Sequence, residues 1–380
     1  MTAVSGVHLT PSAANDAAID ALAAALAADG GGRVGPRGVY DDLPLRLRRT
    51  RAPWPALLGR RVARAYTWEA ADRRDEDWWP QGITTSAATG FTGPESTEST
   101  ESTDGADGAG ARTDVLLTSW YAKHGAGSRL SMVDLARRRY AHILLVTVAT
   151  PENPDHPDAP DAPDAPDATD DTGKAAAPRI APLKVHAGGI VWHGPHLHVA
   201  ATARGFHTAR MADLMRVPAG SPYETFGHRY LLPVWRSHAG GVRTEGAAKL
   251  RHSFLTLDRS GPAPSLVVGE YGTPRQSHRL ARFALDPETG LPTGADAEVD
   301  ERGERQMQGV ALVDGTWYLT SSRGPWGPGS LHAGVPGAFT EHRWATPMGP
   351  EDLVWWPASG LLWSVTEHPR RRWIVGLRRP

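Results

Sequence analysis

Five positions far apart in the chain carry side chains that can hold a cation, orient a polar ligand or exchange a proton: Gln81, His186, His252, Gln308 and Glu351. Oxygen and imidazole ligands together suit hard or borderline cations, and a carboxylate beside an imidazole suits general acid–base work. On that chemistry Glu351 and Glu270 are the candidate bases or anionic ligands, and His186 and His252 the candidate acids, bases or metal ligands. A divalent ion would be held by Glu351, His186, Gln308 and Gln81. Arg323, Trp120, Tyr271 and Ser322, with Gln81 and Gln308, are the candidate ligand contacts. Polar residues at such places also hydrogen-bond to water and to one another without any ligand, and that reading stays open. A second constellation is His193, His196 and His198, three imidazoles around one tight turn, a set that would suit zinc.

What would bring these residues together is a repeat. Gln81-Gly82-Ile83-Thr84, Gly188-Gly189-Ile190-Val191, His252-Ser253-Phe254-Leu255, Gln308-Gly309-Val310-Ala311 and Glu351-Asp352-Leu353-Val354 each open an apolar strand beside a small or polar residue. A tight turn and further short strands follow, and a period of roughly 40 to 60 residues built this way is the mark of a β-propeller. The sequence therefore predicts an all-β, five-bladed propeller over residues 62–380, preceded by a helix and a wrapping segment over 1–61. Innermost strands start at one end of the central channel and second strands return there. The second strands would bring Ser119, Thr202, Glu270, Ser322 and Thr366, followed by Trp120, Tyr271, Arg323 and Glu367. Asp314-Gly315 reads as a two-residue hairpin turn. Blade five stops three strands in, so Val62–Trp68 is the expected closing strand, with Tyr230–Arg236 as an alternative sixth element. Residues 13–28 form the helix, with Ser12 as cap and Gly30–Gly32 as stop. The GxGxxG match from Gly30 to Gly35 follows a helix, is expected to open none, and is set aside as a dinucleotide site.

Composition bounds the rest. The 380 residues are 40% hydrophobic with 14 Trp, enough for one large core, and the lack of cysteine removes disulfides and thiolate chemistry. The formal charge is −1. Residues 87–113 carry −4 and 149–175 carry −7, which leaves +10 on the remainder. Both stretches are polar repeats that read as disordered insertions. The basic remainder includes Arg46, Arg48, Arg49, Arg51, Arg60, Arg61 and Arg64, which would favour anionic ligands or simply solvate a face. No export signal, apolar span or nucleic-acid motif is visible, so a monomer without membrane attachment is expected, cytoplasmic as written and compatible with an extracellular place. GxSxG, HExxH and phosphate-loop motifs are missing.

The strand phrase resembles the superfamily of small propellers that includes SMP-30 and strictosidine-synthase-like proteins and the streptogramin lyases, and a group of actinobacterial propellers of unassigned activity. That resemblance implies a Ca²⁺ or Mg²⁺ ion, or catalytic His and Glu residues, at the channel mouth, where Gln81, His186, His252, Gln308 and Glu351 occupy the comparable slots. Asn and Asp, frequent in calcium-binding members, are nearly missing from these slots, Asp352 excepted. Three functions follow as expectations: binding of a small polar or anionic ligand at the channel face, divalent-metal-dependent hydrolysis or elimination, and a scaffold for other proteins. Whether the protein is an enzyme stays open.

Overall fold

The computed structural model describes residues 6–50, 59–89, 91, 114–150 and 177–380. Most of the two acidic stretches expected to be disordered, and Arg51 of the arginine cluster, lie outside them.

Strands dominate, and they sort into five hydrogen-bonded sheets. Their first strands are Trp78–Thr85, Ile190–His193, Phe254–Asp258, Met307–Val313 and Pro350–Trp356, called sheets I to V in that order. Each first strand is an edge of its sheet, and the five edges gather around a common axis in a β-propeller arrangement. Sheets III and IV are plain four-stranded meanders. The hairpin at Asp314-Gly315 in sheet IV has both residues at positive φ, 51° and 76°, the backbone that a two-residue turn between twisted strands requires.

The other sheets are less regular than a simple repeat. Sheet II has its fourth strand, Arg236–Val242, after a long excursion, and Val7–Pro11 is added to its outer edge. Sheet I extends to nine strands: Tyr230–Pro233 pairs parallel with Arg139–Ala149 and carries Met215–Arg216 and Gly32–Arg33 beyond it, and Arg179–Pro182 and Leu45–Arg46 also pair with Arg139–Ala149. Tyr230–Arg236 therefore builds no sixth blade. In sheet V the strand Val62–Thr67 pairs antiparallel with Trp373–Leu377.

The N-terminal helix runs Asp16–Ala28 and buries Ile19, Leu22 and Leu26. It starts later than expected: the residue before it is Asn15, whose side-chain amide donates to Val148 O at 2.9 Å, while Ser12 Oγ accepts from Ser237 N–H. Gly30–Gly35 also departs from expectation, since a short helix, Gly35–Tyr40, follows it. Among the described residues no helix is long and apolar enough to cross a membrane.

The axis is closed midway. A Cβ on Gly189 would stand 2.3 Å from Leu255 N, and one on Gly309 2.4 Å from Asp352 Cα, so only glycine lets these first strands touch. Asp352 completes the contact. Its wholly buried carboxylate accepts Ile83 N–H at 3.1 Å and Ile190 N–H at 3.4 Å with Oδ2, and Leu353 N–H at 2.9 Å with Oδ1. Three sheets are thereby tied together by one side chain.

Candidate functional site

In three of the five first strands the ladder is broken at the same place. The register shifts between Pro80 and Ile83 in sheet I, between Met307 and Gly309 in sheet IV, and between Pro350 and Leu353 in sheet V. A bulge re-aims the side chain that it carries, and the residues in these bulges are Gln81, Gln308 and Glu351. Hydroxyls on the second strands hold them: Ser119 Oγ accepts Gly82 N–H at 2.8 Å and donates to Ala187 O, and Thr320 Oγ1 donates to Glu351 O at 2.8 Å.

These side chains meet. Gln308 Nε2 donates to Glu351 Oε1 at 3.2 Å, and Gln81 Nε2 donates to Glu367 Oε2 at 3.3 Å. Glu351 and Glu367 hydrogen-bond to each other. Burial, then the charges of Glu367 and Asp352, push the Glu351 carboxyl well above its usual range. Glu367 is also raised by burial, less strongly, because Gln81, Lys123 and Arg372 favour its charge. Two carboxyl groups this close share a proton, and Glu351 is the one that holds it. Tyr121 stands beside the pair, its hydroxyl pushed up to about 12 by burial and by Glu367 and Glu351. The exposed His186 ring rests on Tyr121, with centroids 4.4 Å apart. At the rim Lys123 Nζ lies 3.1 Å from the centre of the Trp79 ring.

Gln81, Gln308, Glu351 and His186 thus share one end of the channel. Other expected members do not belong to it. Glu270 is wholly buried and faces Arg279, accepting Nε and Nη2 at 3.0 and 2.9 Å as well as the Arg251 and Arg279 amides. Burial alone would raise it, yet those partners bring it down to about 2, so it is a fixed anion with no proton to take. His252 sits between sheets II and III, against Gly240 and stacked on Phe283, and burial lowers it to about 4. Trp120 is interior, donating to Ser131 Oγ at 2.8 Å and packing on Trp68. Arg323 pairs with Glu341 on the outer part of sheet IV, and Ser322 Oγ caps the turn at Gly324. Tyr271 is half-buried, and its carbonyl accepts from Arg251 Nη2 at 3.4 Å.

The metal readings fare differently from the cluster itself. Among the described residues no three His, Cys, Asp or Glu side chains are placed to share a metal ion. In the histidine turn, His196 stacks on Trp235 and His198 Nδ1 bonds to Thr208 Oγ1 at 2.9 Å.

Sequence reasoning placed Glu367 beside the mouth without a role, and missed Tyr121 and the linking function of Asp352. It also missed a buried chain in sheet I, where Asp72 accepts from Tyr140 and Arg129 and contacts His142 Nε2, whose Nδ1 meets Ser131 Oγ at 2.9 Å. This resembles a nucleophile triad by residue type. Ser131 is, however, wholly buried and already occupied by Trp120, so the chain ties the short helix Ala70–Arg74 to the sheet.

Fold and site together define a propeller with a polar channel mouth. No family model and no curated protein matches the sequence. Among solved structures it is similar to the β-propeller domain of Cps50 (Swd1) from Myceliophteria thermophila, at 10% identity and a TM-score of 0.33, over 70% of this chain and 93% of that one. It is also similar to hydrazine synthase from Kuenenia stuttgartiensis, at 9% identity and a TM-score of 0.29, over 66% of this chain and 70% of that one. Likeness at this level carries over no activity, and it assigns the chain to none of the families that the strand phrase resembles.

Proposed function

We propose that the five sheets are five blades of one ring, closed where Val62–Thr67 completes sheet V, and that its channel mouth binds a small polar molecule. The observation that carries this reading is the Glu351–Glu367 pair, a buried carboxyl and carboxylate set between amide donors from two other sheets. A protonated carboxyl donates, a carboxylate accepts, and the two glutamines do both, which is the inventory that hydroxyl- or amide-bearing ligands require. The same pair disfavours an anionic ligand, so the polar half of the expected ligand class is retained and the anionic half dropped. No observation favours the metal-dependent or scaffold readings over this one.

The test is a calorimetric titration and thermal-shift series with glucose, myo-inositol and acetamide, repeated in Gln308→Ala and Glu351→Ala. At least one of the three should bind the wild type and raise its Tm by a few degrees, and both variants should weaken that binding about tenfold, the worth of one hydrogen bond to a buried polar site. Lack of binding by all three, or equal binding in both variants, overturns the proposal.

A further inference from the structure

The end of the channel beyond the Gly309–Asp352 closure is built from different chemistry. A cavity of about 620 Å³ opens there, lined by the later halves of all five first strands. Its floor is Ile83, Ile190 and Leu353, each about 1% exposed, whose amides are those bound by Asp352. Its walls include Leu257, Leu312, Val354 and Trp355, which stay partly exposed in strands whose other residues are largely buried. Apolar surface left facing a concave space of this size is what an organic ligand covers, and such pockets run to several hundred Å³ with few polar groups.

The rim supplies those groups. Among the described lining residues Arg259 is the one cationic side chain, with Ser260 next to it. Asp314, the one acidic residue of the described lining, pairs with Arg379 at 3.2 Å. An apolar wall ending in a guanidinium matches a molecule with an apolar body and a single anionic head, since the head can take charge-assisted hydrogen bonds while the body stays out of water.

We propose that this second chamber binds an amphipathic organic anion, its apolar body against Leu257, Leu312, Val354 and Trp355 and its carboxylate at Arg259. The site is separate from the polar mouth, because the glycine contacts and Asp352 lie between them, and it does not depend on what the mouth binds.

Decanoate, decanol and decyltrimethylammonium serve as probes, with calorimetry and the fluorescence of the lining tryptophans as readouts on the full chain. Decanoate should bind at one site and about tenfold tighter than either comparator. Arg259→Gln should remove that preference, Arg259→Lys should restore part of it, and Val354→Trp, which fills the chamber, should abolish binding of all three. The Gln308→Ala variant should bind decanoate as the wild type does. The proposal is overturned if decanoate fails to bind, if the three heads bind equally, or if binding survives Val354→Trp in protein with wild-type circular dichroism. Loss of decanoate binding in Gln308→Ala would also overturn it, by placing the ligand at the mouth.

Discussion

Glu351 shows how far a single residue type can mislead about its role. As a glutamate at the start of a strand it reads as a base, yet its surroundings hold the proton on it. The sign of the consequence can be worked out. A carboxyl whose pKa in the folded state is raised above its unfolded value, about 4.3, is protonated more readily when folded, so stability is greatest below that value. It falls as pH rises through the raised range. Glu351→Gln keeps the shape and the donor without the charge, so its Tm should match the wild type near pH 4 and exceed it by about 2 °C or more at pH 8. Scanning calorimetry across that range decides the matter, and a variant less stable than wild type at pH 8 would show that the ionised form is the native one. The positions of Gln81, Gln308 and Glu351 were legible because each precedes a small or compact residue at the start of an apolar run. The bulges that turn them inward were not, since a bulge is a mismatch between two strands and leaves no mark on either alone. Glu270 was misread for a related reason: its slot is readable, but the Arg279 fork that neutralises it comes from just before the next strand of its sheet, Leu280–Ala284.

Between elements, the seam of sheets II and III holds a group of buried histidines. His198, His238 and His252 are buried there, and among the described residues neither ring nitrogen of His238 has a hydrogen-bond partner. His238 stacks on Phe206 at 4.6 Å and faces Arg236, His207 and His196. His198 faces His238, His196 and His193, while His252 faces only Glu270 among charged groups. Burial first, and then those neighbours, lower His238 to about 3 and His198 well below its normal value; burial lowers His252 to about 4. A histidine depressed in this way is neutral when folded and charged when unfolded, so its contribution is lost as pH falls from about 6.5 toward the folded value. Each ring then costs up to roughly 1.4 kcal/mol per pH unit over that window. In urea unfolding the double variant His238→Phe, His252→Phe should lose less stability than the wild type between pH 6.5 and 4.5, the remaining loss belonging to the other depressed rings, His198, His142 and His228. An unchanged slope in that variant would place the acid sensitivity elsewhere. The carboxylates held low, such as Glu270 at about 2, act only below pH 4, whereas the raised Glu351 opposes the histidines by stabilising the fold as pH falls, so the comparison that counts is between variant and wild type.

At the scale of the molecule, the described strands before Trp68 belong to the sheets they wrap. Val7–Pro11 extends sheet II, Gly32–Arg33 and Leu45–Arg46 extend sheet I, and Arg48–Thr50 and Val62–Thr67 extend sheet V. The early helix adds three fully buried side chains to the core beside sheet I. The propeller built from short strands was legible from local alternation, whereas these long-range pairings were not, because Arg236–Val242 and Val7–Pro11 are short, polar or glycine-containing and find their partners only in space. Removing residues 1–70 would uncover Trp373–Leu377 as an unpaired edge with Ile374, Val375 and Leu377 no longer covered, the arrangement that templates aggregation. The truncated protein should be insoluble. Ala65→Pro, placed opposite Val375, leaves the helix and its core contacts in place and should by itself lower the Tm and the soluble yield, because proline cannot donate to the ladder. A soluble truncation that unfolds in one cooperative transition would mean that the ring closes without Val62–Thr67.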